Sequence, residues 1–271
     1  MPGLGPGLRF TMDLQLKDKV VLVTGGAKGI GAAITRTCAR EGATAVAVDR
    51  DTPACRRLQD ELRALGLQAS FMAMELASAE NCKAIVRQAI ETFERIDALG
   101  NNAGINDKIG LEQGSPEAFI CSLERNLLHY CNMAHYFLPH LKRSRGAIVN
   151  ISSKTALTGQ GGTSGYVASK GAILGMTREW AAELLPYSIR VNALVPAEVM
   201  TPLYQQWLEG FPSPEEKLKS VVAKIPLDRR MTTPDEIAAM VAFLISARAG
   251  HITGQHLFVD GGYVHLDRAL T

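Results

Sequence analysis

Tyr166 and Lys170 stand four residues apart in Ser164–Leu185, a stretch whose pattern predicts a helix, so both side chains leave one face. Such a pair could do acid–base chemistry. A free tyrosine titrates near pH ~10 and is a poor base at neutrality, but a nearby ammonium favours the phenolate. A phenolate so placed could take the hydroxyl proton of an alcohol as hydride leaves the same carbon. A Tyr/Lys pair at this spacing is also common on ordinary helix surfaces, so its meaning depends on what converges with it. Ser152 and Ser153 close a predicted strand, Ala147–Ser152. Neighbouring strand residues face opposite ways, so only one of these serines can aim at the pair. Asn126 falls inside a predicted helix from Pro116 to about Lys142, where asparagine is unfavourable by propensity.

These residues are positioned by short apolar strands that alternate with amphipathic segments. Strands are predicted at Lys19–Thr24, Thr44–Asp49, Gln68–Met74, near Asp97–Asn101, at Ala147–Ser152, Arg190–Val195 and His256–Val259. Helices are predicted at Gly29–Glu41, Pro53–Leu65, Ala79–Phe93, Pro116–Lys142, Ser164–Leu185 and Pro234–Ser246, with a Pro-containing insertion at Thr201–Arg230. Each parallel crossover needs a covering element. The alternation therefore implies an α/β fold, a Rossmann-like doubly wound parallel sheet of about seven strands with helices on both faces. No linker or internal repeat divides the chain. Residues 1–13, rich in Gly and Pro, are expected to be a flexible leader, and 14–271 a single domain.

The first strand runs into Thr24-Gly25-Gly26-Ala27-Lys28-Gly29-Ile30-Gly31, which opens a helix. Glycines there allow a tight turn and let a dinucleotide pyrophosphate approach the backbone, while the helix start offers free N–H groups. Asp49 ends the second strand. A carboxylate at that point can accept both ribose hydroxyls of NAD and would repel the 2′-phosphate of NADP. It could instead simply cap the turn into Asp51-Thr52-Pro53. Lys28 pulls the other way, towards NADP. Two anions a few Å apart repel by several kcal/mol at an effective dielectric of ~20, more than an exposed lysine recovers, so NAD is expected and NADP is the other option.

Composition excludes several other classes. Of the 271 residues, 46% are hydrophobic and 21% charged, which suits one well-filled core. Net charge is +2 and no basic block exceeds Arg56–Arg57 or Arg229–Arg230, whereas a nucleic-acid surface needs a concentrated basic stripe. The five cysteines include no CxxC pair, and His129, His135 and His140 are spaced six and five apart, off a single helix face. No metal site is expected. No apolar run reaches the roughly 18 residues of a membrane span, and the first residues lack the pattern of a secretion signal. A soluble cytoplasmic protein is the expectation.

The T-G-x-x-x-G-x-G spacing resembles the nucleotide loop of the short-chain dehydrogenases. Three further motifs follow in that family's order: Asn101-Asn102-Ala103-Gly104, Tyr166-x-x-x-Lys170 and Pro196-x-x-x-x-Thr201. The resemblance implies catalytic roles for Asn126, Ser153, Tyr166 and Lys170, with Ser153 selected by its offset of thirteen residues from Tyr166. It further implies cofactor contacts from Gly25, Lys28, Gly29, Ile30, Gly31, Asp49, Glu75, Leu76, Asn102, Ala103, Gly104, Tyr166, Lys170, Pro196, Val199 and Thr201. Glu75-Leu76 departs from the family's usual Asp followed by an apolar residue, and Gly100 stands where a bulky strand residue is usual. Family members commonly form homotetramers through the two long helices, and the same is expected here.

Loops that would set the substrate carry Asn106, Asp107, Lys108, Lys154, Gln160, Glu198 and Gln205, a polar set suited to a hydroxylated ligand. Gly104–Asp107, Ile151–Gly161, Val195–Tyr204 and Val259–Leu270 resemble the bacterial L-fucose dehydrogenases. That resemblance implies oxidation of the anomeric hydroxyl of L-fucose or a related aldose to a lactone, with Lys154, Gln160 and Glu198 as sugar contacts. The rival readings are a 3-oxoacyl-carrier-protein reductase, a hydroxysteroid-type alcohol dehydrogenase and, outside catalysis, a nucleotide-sensing interaction module. The complete tetrad speaks against the last.

Overall fold

A computed structural model of the chain describes residues 12–267. The expected leader therefore lies almost wholly outside the described residues, as does the tail beyond Asp267. The strands are β1 Val20–Thr24, β2 Thr44–Asp49, β3 Ala69–Ala73, β4 Ala98–Asn101, β5 Ala147–Ile151, β6 Arg190–Pro196 and β7 His256–Val259. They form one parallel sheet in the order β3-β2-β1-β4-β5-β6-β7. The central strands read as unbroken apolar runs because both faces are covered: β1 and β5 are buried at every position.

Alternate β1 residues feed two cores. Val21 and Val23 pack with Ile34 of α1 (Gly29–Arg40), Leu58 of α2 (Thr52–Ala64) and Val241 on a later helix, α10 (Pro234–Ile245). Val20 and Leu22 pack on the opposite face with Ile85 of α3 (Ala79–Phe93) and with Met133 and Phe137 on a later helix, α5 (His129–Ser144). Between β1 and β4 the strand order reverses direction. Such a reversal places a binding crevice at the carboxyl ends of the strands, beside the loops that follow β1 and β4.

Three local features differ from the sequence expectations. The long helix from Pro116 divides into α4 (Pro116–Leu123) and α5, with one π-helical turn, Glu124–Leu128, between them. Such turns widen a helix by one residue and often occur at functional sites. The insertion after β6 holds two helices, α8 (Pro202–Glu209) and α9 (Pro214–Val222), each with its proline in the first turn, where the missing N–H costs nothing. A four-residue helix, α6 (Thr155–Thr158), follows β5. At Gly100 a Cβ would meet only ordinary contacts, the nearest at 3.6 Å from the Leu22 carbonyl oxygen, so nothing in the structure requires glycine there.

Behind the crevice the sheet is tied to helix α7 (Ser164–Glu183) by buried polar bonds. Asn101 Nδ2 donates to Asn150 Oδ1 at 3.0 Å, and Asn150 Nδ2 donates to Thr177 Oγ1 at 3.0 Å. Asn150→Ala would leave the Asn101 amide without its acceptor. It should destabilise the protein by about 1–3 kcal/mol, read as a lowered urea midpoint at unchanged slope. An unchanged midpoint would mean that this ladder contributes nothing to stability.

Candidate active site

Glycines shape the crevice floor. Gly25 and Gly29 hold φ of +62° and +52°, and a Cβ on Gly31 would collide with the Gly25 carbonyl. A Cβ on Gly25 would lie 2.9 Å from the Ala103 Cα, so the loop after β1 fits against the loop after β4 without room for side chains. Thr24 Oγ1 accepts from the Asn102 and Ala103 amides, and Asn102 Nδ2 donates to the Thr24 and Gly25 carbonyls. No side chain caps α1, so its first-turn amides are open to an anion. Thr201, which caps α8 through the Tyr204 amide, faces Gly29 across this rim. Pro196 and Val199 are buried beside it.

Asp49 and Lys28 resolve differently than their charges alone suggest. Asp49 accepts from the Ala27 amide at 3.2 Å and the Asp51 amide at 3.0 Å, fixing its carboxylate at the mouth of the glycine loop. The capping role falls to Asp51, which accepts from the Ala54 amide. Lys28 donates to Asp51 at 2.7 Å. Its charge is thus partly answered within the protein. Glu75 pairs with Arg50 at 3.3 Å, and the Glu75 and Leu76 carbonyls receive bonds from Asn81 and Cys82 of α3. The glycine cradle, uncapped helix start and Asp49 carboxylate together fit the pyrophosphate and adenine ribose of a nicotinamide dinucleotide.

The tetrad residues converge at the other end of the crevice. Ser152 turns away and donates to the Lys170 carbonyl at 2.7 Å, leaving Ser153 to face the pair. Ser153 Oγ accepts from the Thr155 amide and hydroxyl and bonds the Tyr166 hydroxyl. Lys170 Nζ donates to the Ile151 carbonyl at 2.8 Å and to the Tyr130 hydroxyl at 3.1 Å, and lies 5.6 Å from the Tyr166 ring centre. Asn126, in the π-turn, accepts from the Ile105 amide at 2.7 Å and donates to the Ser122 carbonyl. Gly104 sits where a Cβ would lie 3.1 Å from Asn126 Oδ1 and 3.4 Å from Lys170 Nζ, which puts both beside one small space.

Burial governs titration here. It pushes Lys170 down to about 7 and raises Tyr166 above the usual phenol value, against which the Ser153 hydrogen bond works. The sequence reading had a lysine lowering its tyrosine neighbour. In this geometry the ammonium is aimed at Ile151 and Tyr130, and the loss of water outweighs it.

Above Ser153, Lys154 and Glu198 form an ion pair with side chains only 11% and 15% exposed. The Lys154 ammonium also stands 3.7 Å over the Tyr263 ring, and Tyr204 hydrogen-bonds Glu198. Asp260 holds the Tyr263 turn by accepting from the Gly262 and Val264 amides. Gln160, by contrast, is exposed in a glycine loop outside this ion-paired group. Sequence reasoning missed Tyr130, Tyr204 and Tyr263. The spacing of Tyr130 four residues after Asn126 was the one available signal. Among the described residues no group of acidic, His and Cys side chains could hold a metal, and no helix is long and apolar enough to cross a membrane.

A family profile described as enoyl-(acyl carrier protein) reductase matches residues 25–264. The chain belongs to the short-chain dehydrogenase/reductase family. It is 36% identical to an L-fucose dehydrogenase of Bos taurus, covering 93% of this chain and 92% of the relative. It is 34% identical to the 3-oxoacyl-[acyl-carrier-protein] reductase FabG of Thermotoga maritima, covering 93% of this chain and all of the relative. Among solved structures, Cj0485 dehydrogenase is 46% identical with a TM-score of 0.92, over 96% of this chain and 99% of that one. The aldohexose dehydrogenase of Thermoplasma acidophilum is 31% identical with a TM-score of 0.85, over 95% and 98%. The sequence reading placed the finer resemblance with bacterial members, whereas the L-fucose dehydrogenases found here are mammalian. Membership makes the chain an NAD(P)-dependent oxidoreductase.

Asp49→Ala should shift cofactor preference from NAD towards NADP by tenfold or more, because about 1.4 kcal/mol of removed repulsion is a factor of ten. Dissociation constants for both nucleotides, from fluorescence titration, give the ratio directly. An unaltered ratio would mean that Asp49 does not meet the adenine ribose.

Proposed function

We propose that this enzyme is an NAD-preferring sugar 1-dehydrogenase that oxidises the anomeric hydroxyl of L-fucose or a stereochemically similar aldose to the lactone. The observation that carries this reading is the shielded Lys154–Glu198 pair immediately beyond Ser153, braced by Tyr204 and Tyr263. A buried ion pair is costly and weak as a source of stability, which favours a role in recognising a ligand. Its two charges cancel, so it suits a neutral ligand with paired donors and acceptors rather than an anion or an apolar ring. Relatives named as L-fucose and aldohexose dehydrogenases support the same substrate class.

In this reading Ser153 donates to the reacting oxygen and orients C1. Tyr166, as phenolate, takes the hydroxyl proton, while Lys170 stabilises that phenolate and holds the nicotinamide ribose. Asn126 keeps a water beside Lys170 for onward proton transfer. Bound NAD supplies the acceptor for the C1 hydride, so one proton and one hydride leave and C1 becomes the lactone carbonyl. Lys154 and Glu198 exchange part of their mutual bonding for ring hydroxyls. Exposed Ile120 and Leu128 on the α4–α5 face would be covered by pairing of copies into the expected tetramer.

The carrier-protein reductase reading has the Thermotoga relative and the family profile in its favour. It requires NADPH and a basic docking surface, which Asp49 and Glu198 oppose. Absorbance of NAD(P)H with a panel of aldoses, cyclic secondary alcohols and 3-oxoacyl thioesters separates the readings. The expectation is turnover of L-fucose, L-galactose or D-arabinose with NAD, lowered at least tenfold in kcat/KM by Glu198→Gln. Reduction of acyl thioesters with NADPH and no aldose oxidation would overturn the assignment.

A further inference from the structure

We propose that Tyr130 is a positioning residue for Lys170, its hydroxyl holding the lysine ammonium at the base of the Tyr166 site and setting the pH at which that site works. The proposal rests on the reading of Tyr166 and Lys170 as the proton-accepting pair. Tyr130 lies in the first turn of α5, four residues after Asn126 and just past the π-turn. It is fully buried. Its hydroxyl donates to the Ile151 carbonyl at 2.9 Å, which spends the phenol proton and leaves its lone pairs to accept from Lys170 at 3.1 Å. Lys170 donates to the same Ile151 carbonyl at 2.8 Å, closing a triangle at the end of β5. Two of the three ammonium donors are thereby fixed, and the ammonium is held 5.6 Å from the Tyr166 ring centre.

The surroundings make this hydroxyl matter. Among the described residues no carboxylate is ion-paired with Lys170, so neutral dipoles alone offset its charge. The titratable groups around it are Tyr166 on its own helix and His129 and Tyr130 on α5. His129 is buried and held neutral, its pKa pushed down to about 3 by burial and by Lys170 itself. Tyr130 is kept un-ionised by burial and by Tyr166. Without the Tyr130 hydroxyl the ammonium would keep only Ile151 among its fixed acceptors. A less favoured ammonium stabilises the Tyr166 phenolate less, so the pH at which the base forms must rise. A tyrosine serving only to fill the core would need its ring and not its hydroxyl.

The test compares Tyr130→Phe with wild type in the full chain, following kcat and KM for oxidation across pH beside melting temperature and NAD affinity. The expected result is a folded enzyme whose melting temperature falls by only a few degrees, with a KM close to wild type, a kcat lowered about tenfold, and a low-pH limb of kcat/KM displaced upward by about one unit. Tyr130→Leu, which also removes the ring, separates packing from positioning. A Tyr130→Phe enzyme with the wild-type limb and kcat, beside a Tyr130→Leu enzyme that is merely unstable, would overturn the proposal. Tyr166→Phe run in parallel keeps the underlying reading separate. Substantial activity in that variant would sink the proton-accepting pair itself, whatever Tyr130 does.

Discussion

A lysine ammonium buried with no carboxylate partner among the described residues is the constraint around which this site is built. Lys170 reaches from α7 to the end of β5, where the Ile151 carbonyl accepts its hydrogen bond at 2.8 Å. Its neighbours are neutral and tightly placed: the Tyr130 hydroxyl accepts from it, and Asn126 borders the same small space beside Gly104. Burial disfavours the charged forms of both Lys170 and Tyr166 when each is taken alone. Ammonium and phenolate formed together would neutralise one another, so the pair proposed for proton transfer would ionise as one unit.

The rest of the fold serves that geometry. The Asn101–Asn150–Thr177 ladder fixes α7 against β4 and β5, and Ser152 pins the Lys170 backbone to the strand end. Reversal of strand order between β1 and β4 opens the crevice in which a dinucleotide would meet Tyr166. The π-turn lets one helix serve two purposes. Its outer residues continue the packing of α4 and α5, while Asn126 is turned inward to hold the Ile105 amide. Lys154, next in sequence to Ser153, ties the loop after β5 to Glu198 after β6 and to Tyr263 after β7. The proposed chemistry and substrate wall would thus be adjacent along the chain as well as in space.

Much of this was legible in the residues themselves. The seven strands could be read because parallel strands buried on both faces are written as short apolar runs, and the tyrosine–lysine pair because four residues make one helical turn. Asp49 could be named from its place at a strand end. Other features depend on tertiary structure and leave little local trace. The π-turn leaves no mark in the apolar pattern, so the sequence reads as one continuous helix. The Pro-containing insertion Thr201–Arg230 carries no element in the sequence reading, although Pro202 and Pro214 each open a helix there. Lys154 and Glu198 were each assigned to a sugar, but their pairing spans 44 residues and needed the folded loops to be seen. The direction of the Tyr166 shift was missed for the same reason, since desolvation is a property of the assembled core.

The most direct measurement is unfolding free energy against pH for wild type and Lys170→Met. In the folded protein Lys170 gives up its proton near 7, against 10.5 for the free side chain. Between those values the unfolded chain binds more protons, so wild-type stability should rise with pH relative to the variant, and below the window the difference should be constant. Tyr130 and Tyr166 are present in both proteins, so the comparison reports what the Lys170 ammonium contributes together with any coupling to them. A difference curve that climbs from about neutrality is the result this account requires. Parallel curves would mean that Lys170 keeps an ordinary lysine proton, and that its burial does not govern the site.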